Sequence, residues 1–243
     1  MNNIKYESIT ENINVAQDNR GLLLTTDACL LSAFVNRNAK QKICELGAGS
    51  GIISLLLLSE NKIKSSVCVD FQSELCRLAE KNAEKANLKD RMTVVCSDVK
   101  DYIPDVRFDA VVSNPPYFKA EDGKKNEREQ DRLSRHESTA TIYDFAACAD
   151  RILKDGGTAY FCYTPQRLSE LLCALSGAGI EPKKLITVYP TAKHKPSLVL
   201  VSAKKGADKG IELTRPLIIY KDKPGGDYTE DYINIKKENR IVL

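Results

Sequence analysis

The run Ser113-Asn114-Pro115-Pro116-Tyr117 gathers hydrogen-bond acceptors around a rigid turn. Two successive prolines fix φ at about −65° and bring no N–H, so the carbonyls of the turn meet few internal donors. With the Asn114 side-chain oxygen they form a cluster able to accept both hydrogens of a planar –NH2, and Tyr117 offers a ring face to a flat substrate. An amine conjugated to a ring is a poor nucleophile because its lone pair is delocalised. Two acceptors off the ring plane would draw its N–H bonds toward tetrahedral geometry and expose that pair to an electrophilic methyl held in line. Positioning then supplies much of the barrier reduction without a strong base. The chemistry suggested is methylation of an exocyclic or amide nitrogen. The structural alternative is a plain turn, since Asn-Pro and Pro-Pro are ordinary turn formers.

Such a loop needs an element to hold it, and Phe108-Asp109-Ala110-Val111-Val112 before it reads as a buried parallel strand. Upstream, Lys42 to Ser54 reads as strand, glycine turn and the start of a helix running through Leu58. Gly47, Gly49 and Gly51 let backbone approach a ligand at the strand's C-terminal end, where open α/β sheets bind cofactors. A dinucleotide turn would place its third glycine where this chain has Ile52, and Glu45 beside the turn would repel a pyrophosphate. A ligand with a cationic portion and no phosphate fits better, and S-adenosylmethionine, with its sulfonium and ammonium groups, is of that kind. The strand Ser66-Val67-Cys68-Val69-Asp70 ends in an acid about 20 residues past the turn, where such folds set a carboxylate on ribose hydroxyls. After a third strand, Met92 to Cys96, the Asp98 carboxylate could accept from an adenine amino group. Any one of these acids could instead cap a helix. Three carboxylates associated with three successive strands and a glycine turn point to a ligand edge.

In this order, Glu45 to Gly51, Asp70, Asp98 and Asn114 to Tyr117 resemble a class I S-adenosylmethionine-dependent methyltransferase of the Asn-Pro-Pro-Tyr amino-methylating group. The chain is most similar to the bacterial tRNA1(Val) adenine-37 N6-methyltransferases. The resemblance extends from Gln17 and Thr26-Asp27-Ala28-Cys29-Leu30-Leu31, through Arg135-His136-Glu137, to Lys195–Val201 and Pro216–Tyr220. It implies S-adenosylmethionine as cofactor, bound by Asp27, Glu45, Gly47, Gly49, Gly51, Asp70, Asp98 and Asn114. It also implies that Asn114, Pro115, Pro116 and Tyr117 surround the nitrogen to be methylated, and that tRNA is the substrate. The chain departs from the family pattern at Leu22-Leu23-Leu24 and at Tyr163-Thr164-Pro165, which bear on RNA contact.

At 243 residues and 42 % hydrophobic composition the chain is expected to form one domain over 1–243. Residues 1–40 are expected as an N-terminal cap, 41–203 as a Rossmann-like core and 204–243 as a tail packing on it. The expected fold class is α/β, a doubly wound, mostly parallel seven-stranded sheet. A helix over Ile142–Leu153 ends at Lys154-Asp155-Gly156-Gly157, a strand Thr158–Tyr163 follows, and a helix Leu168–Ala178 closes at Gly179. Strands Leu185–Tyr189 and Ser197–Ala203 are joined too closely for a parallel return, so they form an antiparallel edge hairpin.

No apolar stretch reaches 18 residues and Met1 to Thr10 is polar, so neither membrane span nor leader is expected and the location reads as cytoplasmic. The eight cysteines show no C-x-x-C pair, and mostly buried, reduced thiols are expected rather than disulfides or a zinc site. No metal is expected, and the oligomeric state is open. The formal charge is only +3, but residues 119–135 form a mixed-charge segment with almost no apolar residue, expected to stay mobile until substrate arrives. There Lys124, Lys125, Arg128, Arg132 and Arg135 are candidates for RNA phosphates, with a solvated face as the alternative. His136 and His194 read as surface or RNA-side residues, and Lys204, Lys205 and Lys209 as added positive charge near the ligand edge. Two rivals stand beside this reading. One is a glutamine N5-methyltransferase acting on a release factor, a family with a sizeable N-terminal helical domain, whereas about 40 residues precede the glycine turn here. The other is a non-catalytic RNA-binding module, against which the intact Asn114–Tyr117 turn argues.

Overall fold

The computed structural model describes residues 4–10, 13–18, 26–116 and 140–243. Its centre is a mixed sheet built on five parallel strands, β3 (Lys42–Leu46), β4 (Ser65–Asp70), β5 (Met92–Cys96), β6 (Phe108–Ser113) and β7 (Leu153–Tyr163), in the order β7-β6-β3-β4-β5. Ile43, Cys44 and Leu46 of β3 are all buried, as a strand covered on both faces requires. One layer holds α1 (Thr26–Phe34), α2 (Ile52–Ser59), α3 (Ser73–Lys85) and α6 (Glu230–Glu238); the other holds α4 (Ile142–Ile152) and α5 (Leu168–Gly177). Every residue of α2 from Ile52 to Leu58 is buried, so this helix is apolar all round and lies inside its layer. A two-stranded antiparallel hairpin, β1 (Ile4–Thr10) and β2 (Ile13–Asp18), sets β2 against α3.

Beyond β7 the sheet continues through β9 (Leu198–Lys205), antiparallel to β7, and β8 (Ile180–Tyr189), antiparallel to β9. The expected hairpin is therefore present. Seven strands are expected, and among the described residues the sheet has nine, because the two-residue strands β10 (Glu212–Leu213) and β11 (Leu217–Ile218) add in parallel to the outer side of β8. The sequence gives these little periodicity to read, since a two-residue strand has no alternation. A second difference is the start of β7, at Leu153 instead of Thr158. Leu153 pairs with Phe108, the register slips before Ala110, and the turn-forming glycines are absorbed as a bulge with Gly156 at φ +71°. Likewise β8 begins at Ile180 and accommodates Pro182 beside a register shift.

Since β8 and β7 are both antiparallel to β9, they run in the same direction. The C-terminal ends of β3, β4, β5, β6, β7 and β8 all reach one edge of the sheet.

Candidate active site

The glycine turn occupies that edge between β3 and α2. Gly47, Gly49 and Gly51 have φ of +67°, +55° and +78°, a region that favours glycine. A side chain on Gly47 would also meet the Phe145 ring at 3.2 Å, and one on Gly51 would meet Ala79 Cβ at 3.3 Å and the flexible end of Met92. The N–H groups of Gly47 and Ala48 both donate to the Val69 carbonyl, at 2.9 and 3.0 Å, so the end of β4 fixes the turn.

Asp70, the last residue of β4, accepts from the Gly49 N–H at 2.8 Å with one carboxylate oxygen and from the Gln72 N–H at 2.9 Å with the other. Burial pushes its carboxyl above the ordinary value, against the pull of those two N–H groups. Asp98 accepts from the Lys100 N–H at 2.9 Å, and its own carbonyl accepts from Asp101 and Tyr102. Both acids thus organise backbone, as the capping alternative requires. Each oxygen retains a lone pair, so the same carboxylate can also face a ligand.

Glu45 behaves differently. It is 2 % exposed, and its Oε2 accepts from both the Ser54 N–H at 2.9 Å and the Ser54 hydroxyl at 2.5 Å. Burial raises its pKa to about 7, offset in part by Ser54. The carboxylate expected at the ligand is turned into α2, where it ties β3 to the helix. Ser54 had no assigned role from sequence, yet it is the one polar residue in the run Ile52-Ile53-Ser54-Leu55-Leu56-Leu57-Leu58, a signal that the buried acid has a partner there.

Asp27 lies in the first turn of α1 and is half-buried. That helix is held at its other end by Lys62, whose ammonium is buried and donates to the Ser32 carbonyl at 2.6 Å and to the Asn239 carbonyl at 2.8 Å. Burial lowers the Lys62 pKa to about 8. Ser32 also bonds Asn239 through their side chains. Nothing in the spacing of the sequence announces this contact.

Ser113, at the end of β6, is buried and donates from its hydroxyl to the Leu46 carbonyl at 2.8 Å. This bond fastens the end of β6 to the end of β3, so that Asn114-Pro115-Pro116 leaves the sheet beside Gly47. Asn114 is half-buried, Pro115 buried and Pro116 exposed. Tyr117, Lys124, Lys125, Arg128, Arg132, Arg135 and His136 lie outside the described residues. Lys204 and Lys205 were expected near this edge and are not there: β9 is antiparallel, so its end lies at the opposite edge, where Lys205 pairs with Asp150 at 2.9 Å. Five of the eight cysteines are buried, whereas Cys96 and Cys173 are exposed and Cys29 is intermediate.

The methyltransferase small domain model matches residues 25–166, which span the glycine turn, Asp70, Asp98 and Asn114. The chain belongs to this family. It is a methyltransferase whose methyl donor is S-adenosylmethionine. Among curated relatives, the tRNA1(Val) (adenine(37)-N6)-methyltransferase of Dyadobacter fermentans is 23 % identical, covering 87 % of each chain. The protein of the same name from Trichodesmium erythraeum is 26 % identical, covering 98 % of this chain and 97 % of the relative. Among solved structures, a predicted O-methyltransferase from Agrobacterium tumefaciens superposes with TM-score 0.70 at 22 % identity, covering 90 % of this chain and 98 % of that one. These place the fold among Rossmann-like methyltransferases.

The residues present fit the cofactor. The turn's left-handed glycines permit close backbone approach, and the acids at this edge suit a ligand carrying sulfonium and ammonium charge. When bound, S-adenosylmethionine supplies an electrophilic methyl.

Among the described residues, no group of three or more His, Cys, Asp or Glu is arranged to hold a metal ion. No helix among them is long and apolar enough to cross a membrane.

Proposed function

We propose that this enzyme methylates the exocyclic N6 of an adenosine in tRNA, the adenosine at position 37 beside the anticodon of a valine tRNA, and that it works as one unit in the cytoplasm. The observation that carries the reading is the Ser113–Leu46 bond, which sets the acceptor-rich turn from Asn114 beside the glycine turn. In this reading Asn114 Oδ1 and the Pro115 carbonyl accept the two N–H groups of the target amine, Tyr117 stacks on the base, and Asp70 takes the ribose hydroxyls of the cofactor. The target base must leave its stack, which is cheaper in a loop than in a duplex. The names of the relatives, which match over most of the chain, support the choice of tRNA and of position 37. Lys124, Lys125 and Arg128 would contribute phosphate contacts.

The test is methyl transfer from labelled S-adenosylmethionine to unmodified valine tRNA, to the same tRNA with adenosine 37 replaced by guanosine, and to a peptide release factor. The expected result is label in the first alone. Label in the release factor alone would replace this reading with glutamine N5-methylation, and equal label in both tRNAs would move the target away from position 37.

A further inference from the structure

The edge that carries Asn114 continues past β7 and β9 to β8 and β11, where the C-terminal segment builds an aromatic stack. The Ile219 and Tyr220 N–H groups donate to the carbonyls of Tyr189 and Pro190, carrying the chain just beyond the end of β8. Tyr220 then bridges to Tyr228, and their rings stack with centroids 5.2 Å apart at 23°. Tyr232 packs on Tyr228 at 4.9 Å, and Lys236 Nζ lies 4.9 Å from the centre of the Tyr228 ring. Tyr232 is buried, and its helix packs against α1, the helix that bears Asp27. The stack is therefore rooted in the element that bears a candidate cofactor residue. Tyr220, half-buried, ends the stack, part of its surface packed on the buried core and part open to solvent.

Around this end the surface carries several exposed lysines, with Asp222 and Asp227 interleaved between Lys221, Lys223 and Tyr228, so that the excess of positive charge comes from the β8–β9 connection. The β8–β9 connection presents Lys193, His194 and Lys195, all exposed, and the turn between the two stacked tyrosines presents Lys221 and Lys223, also exposed. Arg215, further back, is neutralised by a two-pronged pair with Asp231 at 2.5 and 3.0 Å. Preordered rings beside exposed lysines form a combination that grips single-stranded nucleic acid: every base offers a π-face, and each phosphate offers a charge. A ring already held by its neighbours loses little freedom on binding.

We infer that Tyr220 is the landing face for an unpaired base of the RNA substrate, with Lys193, Lys195 and Lys221 on the adjoining phosphates. This rests on the RNA reading above and adds a contact site to it. Four interstrand spacings separate β6 from β11, roughly 19 Å along the edge. The base received there is consequently a different nucleotide from the one being methylated.

The test measures binding of a fluorescent valine anticodon stem-loop to the full chain by anisotropy, for wild type, Tyr220→Phe, Tyr220→Leu and Tyr220→Ala. Phe keeps the π-face and Leu keeps only the bulk, so the pair remains decisive even if the Ala variant folds poorly. The expected Kd is within about twofold of wild type for Phe and about tenfold weaker for Leu. Cofactor affinity should be unchanged in both. Leu binding as tightly as Phe would overturn the inference. Lys193→Ala with Lys195→Ala should reduce the slope of log Kd against log salt by about 1.4, and an unchanged slope would remove the phosphate contacts from the proposal. If the enzyme labels no tRNA yet binds the stem-loop through Tyr220, the proposed reaction fails and the landing face stands. If it labels tRNA with affinity indifferent to Tyr220, the reverse holds.

Discussion

Asp70 and Asp109 sit at opposite edges of the same sheet, and their surroundings differ in kind. Asp70 is held by the N–H groups of Gly49 and Gln72 and is 6 % exposed. Asp109, at the start of β6, accepts from the Lys42 N–H at 2.8 Å and from the Lys154 ammonium at 2.5 Å. Burial raises the Asp70 carboxyl, with the backbone N–H groups opposing. For Asp109 burial also pushes upward, but the Lys154 ammonium and the Lys42 N–H outweigh it and hold the carboxyl below its usual value. At the far edge Lys205 likewise meets Asp150. Asp109 and Asp150 there are each paired with a lysine. At the edge of the glycine turn Asp70 is fixed in place by dipoles, which orient the carboxylate without cancelling its charge. Asp70 at the glycine turn therefore keeps a carboxylate that a cationic ligand can meet.

The contrast is broken most severely at Asn114. Asn114→Ala should lower methyl transfer by about 10²-fold or more while cofactor affinity stays within a few fold, since the lost hydrogen bond acts on the amine being methylated. Turnover above a tenth of wild type would remove Asn114 from the chemistry. Next in size, Asp70→Ala should weaken S-adenosylmethionine binding roughly ten- to a hundredfold by calorimetry, the worth of charge-assisted hydrogen bonds of about 1.5–3 kcal/mol. Unchanged affinity would leave Asp70 as a cap alone.

The two buried ionisable groups behind the site give a smaller effect, with opposite signs. The folded chain keeps the Glu45 proton to about pH 7, against an ordinary value of 4.5, so unfolding releases a proton between those values. Stability contributed by this group therefore falls as pH rises from 4.5 to 7. Lys62 loses its proton near 8 when folded, against 10.5 when unfolded, so its contribution rises with pH between 8 and 10.5. In thermal melts, Glu45→Gln should flatten the acid-side slope of Tm against pH. Lys62→Met should flatten the alkaline one. Parallel profiles for wild type and variant would show that the group is not titrating in that window. Smallest of all, Lys154→Ala should cost at most about 1 kcal/mol of stability, as half-exposed ion pairs do, and leave kcat/KM for tRNA unchanged.

How much of this was legible depends on whether a residue's partner lies near it in sequence. The five parallel strands were readable because each is an apolar run ending in a glycine, acid or proline signal, and Asn114-Pro115-Pro116 falls where that pattern places it. The direction of β9 follows from the short Pro190–Pro196 connection, and that same direction carries Lys204 and Lys205 to the edge opposite the glycine turn. Glu45 was assigned to the ligand on its neighbourhood to the turn. Ser54, from which its Oε2 accepts, lies one helical turn beyond the glycines, and only packing decides which way the side chain points. Strands β10 and β11 and the tyrosine stack are assembled by pairing with β8 and have no local signature.

Lys62 joins carbonyls of Ser32 and Asn239, residues separated by 207 positions. Contacts of such sequence span form slowly, because a long loop must close before they contribute. During synthesis at about 5–20 residues per second, the helix bearing Asp27 emerges early and must wait for α6 and Asn239 before its far end is secured. The order of assembly therefore sets the order of competence: the glycine turn can form with its neighbouring strands, while the final fastening of α1 comes only when the C-terminal helix docks.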